Sequence, residues 1–244
     1  MKRKFYINMW SGPRNVSTAL MYSFAQRDDT RVVDEPFYAH YLLQSGAMHP
    51  GRSEVLDSQP KDARIVLDNL FSTATDKRVL FIKNMAHHMI NLGEVLDELV
   101  TRFSHFFLIR DPKDMIQSLD KTLPNPSLRD TAYPRQFELF EIVKSRGLPL
   151  VVLDAYELLK DPPSVLRRLC RKLGIPFQES MLSWREGPIP EDGIWAKHWY
   201  QRVHDSTGFK PGTPKEGSLP KRLRPLYDQC KPIYDKMFVH AIKV

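Results

Sequence analysis

The chain has 244 residues, 42% hydrophobic and 27% charged, the composition of an ordinary globular protein, and one domain over 1–244 is the expectation. Its 36 basic against 29 acidic residues give a net charge of +7 and favour an anionic partner. The basic residues are scattered from Lys2 to Lys243 without a run of five or more like charges, so a small anion is expected, and neither a nucleic acid nor a membrane surface.

The longest apolar stretches, HFFLI and LPLVVL, are too short to cross a bilayer, and MKRKFYINMWSG turns polar too soon for a signal peptide. A soluble cytoplasmic protein is the expectation. Cys170 and Cys230 have neither disulfide nor zinc spacing and are expected as buried thiols, with no metal.

The first element reads as a strand, KFYINMW (4–10), and SGPRNVSTAL follows it directly. Gly12 and Pro13 turn the chain out of the strand, and Ser17 and Thr18 fall where a helix begins. The N–H groups of a first helical turn, the helix dipole and two hydroxyls make a seat for a phosphate, and Arg14 adds a fixed charge. Against the triphosphatase pattern GxxxxGK[ST], Ser17 stands at the second glycine, Thr18 at the Lys and Ala19 at the Mg²⁺-holding hydroxyl. A divergent P-loop kinase is left as an alternative, supported by the acidic strand end LVVLD (150–154). A capped helix with no ligand is the plainest one.

The second strand, RVVD (31–34), runs into Glu35, and the third, VLFIKN (79–84), carries Lys83 shortly before His87 and His88. Leu92, Val95, Leu96 and Leu99 then keep helical spacing. The fourth strand, HFFLIRD (105–111), delivers Arg110; Pro112 suits the first turn of a helix that brings Ser118 round two turns later. The fifth, LPLVVLDA (148–155), leads to Tyr156 and to a helix through Val165, Leu166, Leu169, Cys170 and Leu173, which Gly174 ends.

This alternation predicts a three-layer α/β fold of the P-loop type. A central parallel sheet of about five strands is flanked by helices, with ligands at the carboxyl ends of the strands. Residues 184–220 keep no period and hold Trp195, His198, Trp199, Tyr200 and Phe209, an irregular segment expected as a lid or acceptor wall, or as a small satellite core. The end of the chain (220–241) reads as a helix that Pro225 and Pro232 should kink or interrupt.

SGPRNVST resembles the loop of the sulfotransferases that use 3′-phosphoadenosine 5′-phosphosulfate, in which a segment of the type PKSGTTW grips the 5′-phosphosulfate. Pro13 matches its Pro, Arg14 its Lys, and Ser17 with Thr18 its paired hydroxyls; Val16 stands at the glycine and Ala19 at the adenine-stacking Trp. FFLIRDPKDMIQSL (106–119) resembles the family's 3′-phosphate site, RNPKDxxxS, through Arg110 and Ser118. VVLDAYELLKDPPSVLRRLCRKLGIP (151–176) is similar to its YEDLKxDP segment, and KEGSLPKRL resembles its final Gly and Lys/Arg loop.

The resemblance implies cosubstrate contacts from Gly12, Pro13, Arg14, Asn15, Val16, Ser17 and Thr18, from Arg110 and Ser118, from Tyr156 against the adenine, and from Lys215 and Gly217. It implies sulfuryl transfer to a hydroxyl or amine of a small-molecule or carbohydrate acceptor. A non-catalytic adenosine 3′,5′-bisphosphate module is the second alternative.

Arg14 is the candidate for charge on the leaving phosphate. Many family members place a His two residues after the Lys of the third strand; here Met85 holds that position, and His87 and His88 lie further on. Members acting on carbohydrates place a Glu after the second strand, where Glu35 stands. Glu35 is the preferred base, His87 or His88 the alternative, and Lys83 can assist either. The acceptor and the oligomeric state stay open, with the C-terminal helix a surface that a homodimer could use.

Overall fold

Successive side chains of a strand point to opposite faces of its sheet, so an unbroken apolar run needs cover on both sides. The computed structural model, which describes residues 3–72, 77–211 and 218–243, has five such strands. They are β1 (Phe5–Ser11), β2 (Thr30–Asp34), β3 (Val79–Met85), β4 (Ser104–Ile109) and β5 (Val152–Asp154). All pair in parallel, in the order β2-β3-β1-β4-β5. From β1 the chain passes over β3 to the β2 edge, and every later strand is added in the opposite direction. The carboxyl end of β1 is therefore the place where connections diverge and a crevice opens.

The helices between and after them are α1 (Ser17–Ala25), α2 (Tyr38–Ser45), α3 (Arg52–Ser58), α4 (Ala63–Ser72), α5 (Glu94–Arg102) and α6 (Pro112–Leu119). They continue with α7 (Tyr133–Ser145), α8 (Ala155–Lys160), α9 (Pro162–Leu173), α10 (Ala196–Trp199), α11 (Gln201–His204) and α12 (Arg224–Phe238).

The period of two sorts the strands into two cores. Ile7, Met9, Phe81, Phe106 and Leu108 pack with α1, α2 and α9 on one face. Trp10, Leu80, Ile82, Phe107 and Ile109 pack with α4, α5, α7 and α12 on the other. Asn8 falls on the second face, where it accepts from Asn84 Nδ2 at 2.8 Å and contacts His105 Nδ1 at 3.3 Å. Burial pushes that imidazole down to about 4, so it lies neutral beneath the sheet.

Differences from the sequence reading are local. The fifth strand is only Val152–Asp154, because three residues pair with β4 and α8 begins at Ala155; its free edge is covered by the chain end through Ile242 N–H to Val152 O, 2.9 Å. α12 runs through both prolines: Pro225 sits in the first turn, which needs no N–H, and Leu226, Cys230, Tyr234 and Met237 hold the helix down around Pro232. Residues 184–220 contain two single-turn helices, α10 and α11, and a bridge between Ser183 and Gly208. Trp184, Trp195 and Tyr200 join the main core on the α1 face. Cys170 and Cys230 are buried and unbonded. No helix among the described residues is long and apolar enough to cross a membrane.

Asp154 closes this half of the sheet. It caps α8 by accepting from Tyr156 N–H at 2.8 Å and Glu157 N–H at 3.2 Å, and it accepts from Tyr234 of α12 at 3.2 Å. Burial nevertheless raises its pKa from 3.8 to about 6, against the pull of those donors. The folded protein then holds a proton that the unfolded chain releases, so stability falls as pH rises from about 4 to about 6. Urea titrations across that range are expected to show this loss in the wild type and a flatter profile in Asp154→Asn. Asp154→Ala, which loses the cap, is expected to be less stable than Asp154→Asn by about 1 kcal/mol.

Candidate active site

The loop leaving β1 is strained. Arg14 and Val16 both adopt left-handed backbone, φ 61° and 60°, where a β-branched residue is a true outlier. Val16 is also the N-cap of α1 and offers no capping side chain, so the first-turn N–H groups face outward with Ser17 and Thr18 beside them. Gly12 lies beneath the loop. A Cβ there would stand 3.0 Å from Thr131 O and 3.3 Å from Asn15 Nδ2, so any side chain would crowd the loop. Asn15 donates to Leu108 O at 3.1 Å and Gln136 of α7 donates to Trp10 O and Leu108 O at 3.0 and 2.9 Å, pinning the loop to the ends of β1 and β4.

The end of β4 supplies the second half. Asp111 caps α6 through Lys113 N–H at 2.8 Å, Pro112 fills its first turn, and Ser118 comes round buried on the inner side. Arg14 Nε donates to Ser118 Oγ at 3.1 Å, and Arg110 Nη1 donates to the carbonyl of Arg14 at 2.9 Å. Two segments almost a hundred residues apart thus form one unit. Burial, together with their mutual repulsion in the case of Arg14, holds the pKa of both guanidinium groups below the ordinary arginine value.

A third group forms where β2 and β3 end. The register sets Asp34 opposite Lys83, and Lys83 Nζ donates to Asp34 Oδ1 at 2.7 Å and to Glu35 Oε1 at 2.6 Å. Tyr200 also meets Lys83 and donates to Asp34 Oδ2 at 2.8 Å, while Trp195 Nε1 donates to the Tyr200 oxygen at 3.0 Å. Burial raises the Glu35 pKa against the attraction of Lys83, and Asp34 adds to the rise. Burial alone would lower Lys83, but Asp34 and Glu35 outweigh it and hold the ammonium charged. His88 Nδ1 lies 3.7 Å from Glu35 Oε2, the carboxylate oxygen that Lys83 does not hold.

All three groups open on one cavity of about 560 Å³. The loop from Pro13 to Thr18 lines it with Arg110 and Ser118 at one end. Glu35, Lys83, His87 and His88 line the other, with Met85 where a histidine was sought. His88 is stacked between Tyr38 and Tyr41, each 4.6 Å away centroid to centroid, and His87 meets Tyr41 edge-on at 5.2 Å. Burial lowers His87 to about 3 and His88 well below its ordinary value, so both are neutral. Of the irregular segment, Trp195, Trp199, Tyr200 and Phe209 face the cavity, and His198 does not.

Tyr156 stands apart, 43% exposed on α8 and outside the cavity lining. Lys215 and Gly217 lie outside the described residues. The sequence reading did not name Gln136, which holds the strand ends, or Arg202, which lines the cavity from α11. It left Asp34 without a role; polar residues ending two adjacent parallel strands were the available signal. Among the described residues no group of three or more His, Cys, Asp or Glu is placed to hold a metal ion.

The loop strain is directly testable. Val16→Gly and Val16→Ala both remove the side chain, but only glycine relieves the left-handed backbone. Chemical denaturation is expected to find Val16→Gly more stable than Val16→Ala by about 1 kcal/mol; equal stabilities would mean that the loop is not strained at this residue.

Residues 5–241 match the family model described as the sulfotransferase domain. Branched-chain-amino-acid aminotransferase-like protein 1 of Arabidopsis thaliana is 40% identical over 235 residues, which are 96% of this chain and 42% of that protein. The chain therefore spans less than half the length of that relative. The sulfotransferase domain from the curacin biosynthetic pathway superposes with a TM-score of 0.59 at 17% identity, covering 94% of this chain and 98% of that one. The sulfotransferase from Alicyclobacillus acidocaldarius does so with a TM-score of 0.54 at 14% identity, covering 98% and 96%. These two share the fold, and the family match over nearly the whole length shows that the chain belongs to the sulfotransferase family.

Proposed function

We propose that the chain transfers a sulfuryl group from 3′-phosphoadenosine 5′-phosphosulfate to a hydroxyl or amine of a small-molecule or carbohydrate acceptor. The observation that supports this most is the joining of Arg14, Ser118 and Arg110 at one end of a cavity whose other end is Glu35. Two arginines from different strand ends suit a ligand with two separate phosphates better than one with a single phosphate chain.

In this reading the acceptor oxygen or nitrogen attacks sulfur while the bond from sulfur to the 5′-phosphate oxygen breaks. Arg14 and the N–H groups at the start of α1 stabilise charge growing on the departing phosphate. Glu35 takes the acceptor proton on Oε2, since Oε1 is engaged by Lys83. Its raised pKa brings it nearer to working pH than an ordinary carboxylate, which is what a general base requires. The neutral rings of His87 and His88 flank the acceptor beside Tyr38 and Tyr41.

Calorimetry is expected to show metal-independent binding of adenosine 3′,5′-bisphosphate, weakened about 10- to 100-fold by Arg110→Ala and to a smaller degree by Ser118→Ala. Preference for Mg²⁺-ATP would overturn the assignment in favour of a kinase. With labelled donor and a panel of sugars, phenols and amines, Glu35→Gln is expected to lower kcat by about 10²- to 10⁴-fold. Activity in the wild type should fall with decreasing pH through a group above the usual carboxylate range, because the base must be ionised. Bisphosphate binding without turnover of any acceptor would leave a nucleotide-binding module.

A further inference from the structure

The lid over this cavity is latched rather than draped. Tyr200 reaches the buried pair of Asp34 and Lys83, and Gly193 N–H donates to Asp34 Oδ2 at 3.1 Å. Asp192 accepts from Tyr22 of α1 at 2.6 Å and contacts His204 Nε2 at 2.9 Å. Residues 192–204 are thereby fixed over the ends of β2 and β3 and against α1.

Arg202 projects from α11 in this latched segment and lines the cavity with Arg14 and Arg110. It makes no hydrogen bond or ion pair among the described residues, unlike Arg222, which is paired with Asp120 at 2.7 Å. Of the three guanidinium groups, Arg110 alone has an ion pair among the described residues, a long one to Asp114 at 3.8 Å. Repulsion from Arg202 contributes to the lowered pKa of both Arg14 and Arg110. Three like charges converge on one cavity, whose carboxylates Glu35 and Asp130 make no ion pair with any of the three, an arrangement that favours entry of an anion.

We infer that Arg202 is a donor-binding residue, a third arginine that closes over the 5′-phosphate side of an adenosine bisphosphate from the lid. The side follows from the sheet order. The latch sits on β2 and β3, next to the β1 loop that carries Arg14, whereas Arg110 stands beyond β1 at the end of β4. The inference rests on the proposed use of a phosphoadenosine donor and adds the residue, its lid and the phosphate it reads.

The test measures adenosine 3′,5′-bisphosphate and adenosine 5′-phosphate by calorimetry with wild type, Arg202→Ala and Arg202→Lys. Arg202 is exposed, so neither variant is expected to unfold at a lower temperature than the wild type, and Arg202→Ala, which relieves the repulsion, not at all earlier than Arg202→Lys. Arg202→Ala should weaken both nucleotides by a similar factor, about 10- to 100-fold, with Arg202→Lys in between. Its loss should also shrink as salt is raised. Wild-type affinity in Arg202→Ala would overturn the inference while leaving the donor assignment standing. A loss confined to the bisphosphate would overturn it too, by moving Arg202 to the 3′-phosphate. No binding of either nucleotide to the wild type would overturn the donor assignment itself.

Discussion

Lys83 held between Asp34 and Glu35 is the interaction on which the site depends. Its ammonium is 1% exposed, and a charge taken so far from water is tolerated only when paired and fully hydrogen-bonded. Two carboxylates and the Tyr200 hydroxyl meet that demand, and in doing so they bring together the ends of two strands and a lid some 117 residues further along the chain. Removing the lysine would leave two carboxylates buried against each other. Removing Tyr200 would leave the ion pair, with residues 192–204 held by Gly193 N–H on Asp34 and by Tyr22 on Asp192.

The same economy governs the other end of the cavity. Arg14 is turned into left-handed backbone, which aims its side chain at Ser118 and leaves its carbonyl for Arg110. Strain in such a loop persists only where surrounding contacts over-determine it, and here Gln136, Asn15 and the crowding around Gly12 do so. The loop is stiff for a reason beyond stability: a phosphate bound by pre-set N–H groups meets little reorganisation when charge develops on it.

Much of this was legible in the residues. The apolar runs located all five strands, because a strand covered on both faces cannot hide its composition, and the Asp-Pro and Leu-Gly pairs marked where α6 begins and α9 ends. The short helices α2 and α3 were not visible, since eight and seven residues hold too few turns to show a period. α12 was misjudged because two prolines weigh heavily in a local reading and tertiary packing weighs nothing. In the site, Arg14, Arg110, Ser118, Glu35 and Lys83 came from strand ends. Tyr200 was legible only as one aromatic of a lid, acceptor wall or satellite core, and Arg202 not at all, because nothing in a segment without period says which of its side chains turn inward.

Met85 in place of a histidine shapes the chemistry that remains open to the site. Its thioether faces the cavity, and of the two histidines beyond it His88 is stacked between Tyr38 and Tyr41 while His87 meets Tyr41 and His88 edge-on. With His87 held at about 3, an imidazole so reluctant to charge is a hydrogen-bonding wall and a poor proton acceptor at neutral pH. In the proposed reaction the burden passes to the end of β2, where burial raises Glu35 and Lys83 engages its near oxygen, so that the far oxygen would be the basic atom. A carboxylate base of this kind would come with a built-in counter-ion: under the proposed mechanism, protonating Glu35 would leave Lys83 paired with Asp34 and Tyr200, which links the proposed base to residues 192–204 through a single ammonium group.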